Sequence, residues 1–179
     1  MKSLNIENVT ELDWWESRDI TTISGRTGQI SCLPAQHMTA RGLFDRYHTL
    51  WASWSFESGG KNIWFAGDTA YRSYSRNGQR TPSCPAFKDI GRLRGPFDLA
   101  MIPIGAYKPR YLLSPVHVDP AEAVEIFQDI KAKKAVGMHW GTFVLSSEDI
   151  LEPRDELRRI TKEKMIDFDT VVLGGHRGI

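Results

Sequence analysis

Three apolar runs in this sequence each stop at a side chain able to bind a metal. "ISCLPAQH" delivers His37, "NIWFAGD" delivers Asp68 and "KKAVGMH" delivers His139. A fourth candidate, His117, follows "YLLSPV" and directly precedes a helical pattern. Strand ends in α/β folds are where ligands bind, because loops there converge over a rigid sheet. Taken singly, a histidine is as well read as a structural residue, and a Gly-Asp as a turn. Their recurrence at strand ends is what points to a cation. Imidazole and carboxylate together suit zinc, iron or manganese without a thiolate. An aspartate also has two oxygens and can bridge two cations, which a histidine cannot.

Other chemistries find less support. The chain has no G-x-S-x-G elbow, no Walker A loop and no G-x-G-x-x-G. Cys32 and Cys84 lie far apart and form no CxxC. His176 sits in "LGGHRG" near the end of the sequence, with no helix after it. His48 starts a strand pattern and has no partner that the sequence names.

Strands and helices must position these groups. The apolar patterns predict strands over 21–23, 30–33, 49–56, 62–66, 99–104, 135–139 and 170–173. In "TLWASWSF", Leu50, Ala52, Trp54 and Phe56 alternate onto one face, as in a half-buried strand. Trp51, Trp54 and Trp64 read as sheet-core aromatics, with a lipid-facing role as the alternative. Residues 57–61, "ESGGK", predict a hairpin turn. A helix after His117 has Asp119 as N-cap, Pro120 at its first position and Glu122 completing a capping box. Further helices are expected from Glu152-Pro153 onward and over 85–92. Strands interleaved with helices predict an α/β arrangement.

A chain of 179 residues can bury one sizeable core. Its formal net charge of +1 gives no global field that would point to nucleic acid. No apolar stretch reaches the ~18–20 residues of a membrane span. "MKSLNIENVTELDWW" lacks the apolar h-region of a signal peptide. The expected location is cytoplasmic, or peripheral on an intracellular membrane. The basic stretch 72–83, "RSYSRNGQRTPS", reads as a solvated insertion loop, with a phosphate-facing or membrane-facing loop as the alternative.

The segments "ELDWW", "PAQH…ARGLFDR…TLWASW", "FAGDTAY", "GPFDLAMIPIGAYKPR", "HVDPAEAVEIFQDIKAKKAVGMHWGTF" and "LEPRDEL" cover nearly all of the chain. Together they closely resemble the C-terminal half of the N-acylphosphatidylethanolamine phospholipase D family, in the metallo-β-lactamase superfamily. The resemblance implies an αββα sandwich with a dinuclear site, usually Zn2+ (two per complete domain), at one edge of the sheets. It implies His37, Asp68 and His139 as metal ligands, with Asp68 bridging, and Asp68 and His117 as catalytic residues. His117 is expected beside the ligands or on the substrate phosphate. The implied reaction hydrolyses the phosphodiester of a phospholipid and releases an N-acylethanolamine and phosphatidic acid. Peripheral membrane contact and a homodimer are left open.

The sequence departs from the family in two places. The loop over 72–83 is an insertion between "GDTAY" and "CPAF", beside the expected bridging aspartate. The superfamily's H-x-H-x-D-H motif is absent. Residues 1–179 are therefore expected to form the C-terminal part of a single domain. One half of the sandwich would be missing, a sheet face open, and activity impaired. Zinc binding below two equivalents follows from the same reasoning. Two alternatives remain at this point: a non-catalytic remnant that binds a partner through the open face, or a lactonase or cyclic phosphodiesterase on the same fold.

Overall fold

The computed structural model describes residues 6, 7, 9–40 and 42–178. Residues 1–5 and Asn8 of the start discussed above, and Arg41 of the "ARGLFDR" segment, lie outside the described residues.

Seven strands form one sheet in sequence order. They are β1 (Ser17–Thr21), β2 (Thr27–Pro34), β3 (Ala52–Ser58), β4 (Lys61–Phe65), β5 (Leu99–Pro103), β6 (Ala135–Met138) and β7 (Phe168–Asp169). The helices are α1 (Ala86–Leu93), α2 (Arg110–Leu113), α3 (Pro120–Asp129) and α4 (Glu152–Lys164). The first half of the sheet is a meander, with β1 to β4 antiparallel to one another. From β4 onward the pairings are parallel, and helices fill the crossovers. Parallel strands need such crossovers, because a two-residue turn cannot reverse the chain twice.

This topology brings one set of strand ends together. Two antiparallel steps separate β2 from β4, so those strands run the same way. β5 and β6 are parallel to β4. The C-terminal ends of β2, β4, β5 and β6 therefore lie on one rim, and each leads into one of the four candidate segments.

The core fills one face of the sheet. Trp64, Phe87, Ile90, Phe97, Ile102, Val124, Ile126, Phe127, Leu157 and Phe168 belong to one buried cluster between sheet and helices. Trp64 is fully buried, edge-on to Phe87 with ring centroids 6.2 Å apart. Its indole N–H donates to Ser53 Oγ at 3.1 Å. Truncating Trp64 to alanine removes the largest buried side chain of this layer. The expected cost is about 3–5 kcal/mol of stability. Urea unfolding checks this, and a loss below about 1 kcal/mol would contradict the packing described.

The opposite face is apolar and open. Ile30, Trp54, Phe56, Ile63, Phe65 and Met101 line a shallow depression there of about 360 Å³. This corrects the reading of "TLWASWSF". Trp54 and Phe56 point to the open face, while Ser53 and Ser55 are buried toward the helices. Ser53 can face the core because its polar atom is satisfied: Oγ donates to the Pro34 carbonyl at 2.9 Å and accepts from Trp64. Of the three tryptophans, Trp64 alone is a core residue. The indole of Trp51 stands 5.9 Å from that of Trp14, in a T-shaped pair.

Two edge strands are displaced from their expected places. β1 occupies Ser17–Thr21 rather than 21–23, and β7 occupies Phe168–Asp169 rather than 170–173. Phe168 stacks on Phe127 at 5.8 Å, and that burial sets the β7 register, leaving Val172 and Leu173 in solvent. The expected hairpin is present, with Ser58 paired to Lys61 across Gly59-Gly60. Asp119 caps α3 as expected, its carboxylate accepting the Glu122 N–H at 2.9 Å. Among the described residues no helix is long and apolar enough to cross a membrane.

Candidate metal centre

The four candidate side chains meet at the rim. His37 leaves β2 three residues after Pro34, and its segment is laced to the one carrying Asp68. Gln36 N–H donates to Thr69 Oγ1 at 2.9 Å, and Ala70 N–H donates to the Gln36 carbonyl at 2.7 Å. Asp68 follows β4 through Gly67, whose φ is +64°. A Cβ at Gly67 would stand 3.2 Å from the Ala52 carbonyl, so glycine permits both the turn and the close approach. His117 closes the long connection after β5, immediately before α3. Val118 N–H donates to the Thr69 carbonyl at 3.1 Å, which ties that connection to the Asp68 turn. His139 is the first residue after β6.

The ligand atoms of His37, Asp68 and His117 all lie within 4.8 Å of one another. His139 Nε2 stands 3.6 Å from Asp68 Oδ1. The imidazole centroids of His37 and His117 are 5.6 Å apart, and those of His117 and His139 are 5.1 Å apart. The sequence reading grouped His37, Asp68 and His139 and set His117 beside them. In the structure His117 forms the close triplet with His37 and Asp68, and His139 stands beside it with Nε2 3.6 Å from Asp68 Oδ1. The place beside the ligands, or on the substrate phosphate, is what the family resemblance implies for His117.

Hydrogen bonds fix two of the imidazoles in the same tautomer. His37 Nδ1 lies 2.7 Å from the Met38 carbonyl, and His117 Nδ1 lies 2.8 Å from the Ala106 carbonyl. A carbonyl only accepts, so each Nδ1 carries the proton and each Nε2 presents a bare lone pair. His37 Nε2 is buried and has no hydrogen-bond partner. Burial lowers the His117 pKa below its ordinary value; the bond to Ala106 opposes this, while His139 and His37 reinforce it. His117 is therefore neutral near pH 7.

Two of the six non-glycine residues with left-handed φ among the described residues belong to this rim. Ala106 and His139 both adopt left-handed φ, +62° and +59°, a conformation that costs a non-glycine residue about 1–2 kcal/mol. The Gly105 backbone lies against His139. Strain at such positions persists only where the surroundings over-determine it, and it clusters at functional sites.

Two cavities flank the four residues. One of about 440 Å³ is lined by His37 and Asp68 together with Asp45, His48, Leu50 and Trp51. His48, for which the sequence named no partner, thus faces the same space as His37. No sequence signal marks it, because its place depends on the path of the chain between β2 and β3. The other cavity, about 290 Å³, lies beside His139 and is walled by Trp140, Phe143, Val144, Ile150 and Pro153. Its loop is pinned to the connection after β5, where the buried Glu148 carboxylate accepts N–H bonds from Tyr107 and Lys108, each at 3.0 Å.

The residues present fit a divalent cation. A buried imidazole nitrogen without a partner is costly unless something binds it. Two zinc–ligand bonds of about 2.1 Å at a tetrahedral angle separate ligand atoms by about 3.4 Å, so closing the triplet from within 4.8 Å needs side-chain shifts of about an ångström. The donor set of nitrogen and carboxylate oxygen matches zinc, iron or manganese.

Residues 1–140 match the family described as "Beta-lactamase superfamily domain". The chain belongs to that superfamily. This metallo-β-lactamase chain is 42% identical over 171 residues to "N-acyl-phosphatidylethanolamine-hydrolyzing phospholipase D 1" of Caenorhabditis elegans, an alignment covering 93% of the chain and 45% of the relative. It is 35% identical over 168 residues to "N-acyl-phosphatidylethanolamine-hydrolyzing phospholipase D, mitochondrial" of Saccharomyces cerevisiae, covering 90% and 32%. Among solved structures it resembles isothiocyanate hydrolase from Delia radicum gut bacteria, with a TM-score of 0.59 at 18% identity over 96% of this chain and 59% of that one. The chain spans less than half the length of these two curated relatives. Its fold is the metallo-β-lactamase fold, represented here by one seven-stranded sheet with helices on one face.

The stretch 72–83 of this metallo-β-lactamase chain is a small folded hairpin rather than a free loop. Tyr74 bridges Arg80, Thr81 N–H donates to the Ser73 carbonyl, and Tyr74 N–H reaches Ser114 Oγ at 2.8 Å.

Proposed function

We propose that this chain carries part of the metal centre of a phosphodiester hydrolase of the phospholipase D type. The substrate is N-acylphosphatidylethanolamine, and the products are an N-acylethanolamine and phosphatidic acid. The carrying observation is the convergence of three imidazoles on one carboxylate at the rim, with His37 Nε2 buried and unpartnered. The likeness to relatives named for this activity supports the substrate.

His37, Asp68, His117 and His139 would hold zinc, with the two Asp68 oxygens suited to sharing between ions. When bound, such cations polarise a phosphoryl oxygen and lower the pKa of a water. Asp68 sets the anionic point around which the imidazoles gather. His117, its Nδ1 held by the Ala106 carbonyl, would present Nε2 to a cation. Water's oxygen ends on phosphorus, the bond from phosphorus to the ethanolamine oxygen breaks, and that oxygen takes a proton as it leaves. The apolar cavity beside His139 gives the hydrocarbon part of an amphiphile a place next to the reacting phosphate. A phospholipid surface is the matching source of substrate.

The test is release of N-acylethanolamine from vesicles containing N-acylphosphatidylethanolamine, with a lactone as a parallel substrate. The expected result is release that a chelator abolishes and added zinc restores. Lactone opening without lipid hydrolysis, or hydrolysis indifferent to the chelator, would overturn the reading.

A further inference from the structure

Glu122 is a carboxylate buried among helices, and its burial has no evident use in packing. Its side chain is only 2% exposed. α3 is already anchored by Ala123, Val124, Ile126 and Phe127, all in the core. A buried ion pair adds little net stability, since desolvation offsets its attraction.

The partners of Glu122 explain its place. Arg110 Nη2 donates to Glu122 Oε2 at 2.5 Å, and Arg72 Nε stands 3.6 Å from Glu122 Oε1. Arg72 lies four residues beyond Asp68 in the chain and also pairs with Glu125. Arg110 reaches toward His117, donating to its main-chain carbonyl from Nη1 at 3.0 Å, and its Nε lies 3.4 Å from Asp119 Oδ2. Both guanidinium groups also rest on aromatic rings, Arg72 on Tyr71 and Arg110 on Tyr74. Burial pushes the Glu122 carboxyl up to about 7, with Asp119 adding to the rise, while Arg110 and Arg72 oppose it.

One carboxylate thus joins the segment that carries Asp68 to the segment that carries His117. Two backbone N–H bonds join the same segments, Val118 to the Thr69 carbonyl and Tyr74 to Ser114 Oγ. We propose that Glu122 is a positioning residue of the metal centre: through Arg72 and Arg110 it fixes the spacing between Asp68 and His117. This rests on the metal-centre reading above. The role touches neither substrate nor metal, so its effect appears in how a cation is held.

The experiment is a Co2+ titration of the full chain, followed by the visible absorption of bound cobalt, which reports ligand geometry. In Glu122→Gln the carboxylate charge is lost and its shape kept. The expected result is 10- to 100-fold weaker binding, the usual size for the loss of a ligand's supporting partner, together with shifted absorption bands. Because an unpaired arginine can unfold a protein, Glu122→Gln/Arg72→Met removes one charge of each sign and serves where the single variant does not fold. Ile160→Ala, a core change on α4, is the control for loss of stability alone and is expected to leave the bands unmoved. A folded Glu122 variant with parental affinity and parental bands would overturn the inference while leaving the metal centre standing. A parent chain that binds no cobalt would instead overturn the metal-centre reading, and this inference with it.

Discussion

Asp68→Asn is expected to abolish hydrolysis and to weaken metal binding by more than about 100-fold. Loss of an outer partner costs 10–100-fold, and a shared ligand should cost more. Asparagine keeps the shape but loses the charge that draws three imidazoles together. The fold should survive. The Asp68 side chain is about half exposed. The bonds that lace this rim run through the Thr69 hydroxyl, the Thr69 carbonyl and the Ala70 N–H, none of which changes. The expected stability change is therefore about 1 kcal/mol or less, a few degrees in Tm. Calorimetric metal titration beside thermal unfolding checks both halves. Retained turnover with unchanged metal content would remove Asp68 from the centre.

Gly105→Ala is expected to damage fold and site together. A Cβ at this position would stand 2.4 Å from the His139 carbonyl oxygen and 3.1 Å from the Trp140 Cα. Both are backbone atoms and cannot swing aside. The exits of β5 and β6 must then move apart, and His139, already left-handed, moves with them. Overpacking of this kind costs about 1–3 kcal/mol. Activity should fall further than stability alone explains, because a ligand is displaced directly. The comparison to make is turnover and metal affinity at a temperature where the variant is fully folded. Parental values there would show that His139 does not depend on this contact.

Much of this architecture was legible in the sequence, for a local reason. Each strand that ends at the rim is a short apolar run broken by turn residues, so His37, Asp68 and His139 stood out without knowledge of the fold. The helix after His117 was equally plain, because Asp119 and Pro120 mark its start. What escaped were features that depend on partners distant in the chain. The alternation in β3 was visible, but which face is core was not. The answer lay in Trp64, whose indole makes Ser53 a satisfied interior residue. Glu122 read as half of a capping box, and nothing nearby in sequence announced Arg72 and Arg110. His117 could be placed near the ligands only by resemblance, since its approach to His37 and Asp68 comes from a long connection rather than from a strand end. The stretch 72–83 looked like loose basic loop because its hairpin bonds carry no periodic signature.

The sheet also acts as a ruler. Neighbouring hydrogen-bonded strands stand about 4.8 Å apart, and β4, β5 and β6 are consecutive neighbours. Asp68 and His139 therefore leave main chains two strand widths apart, and side-chain length spans the gap between them. That interval belongs to the ladder of backbone bonds, not to the connections above it. The tip of the hairpin, residues 75–79, can accordingly lengthen, shorten or change composition while the interval between the Asp68 and His139 main chains stays the same.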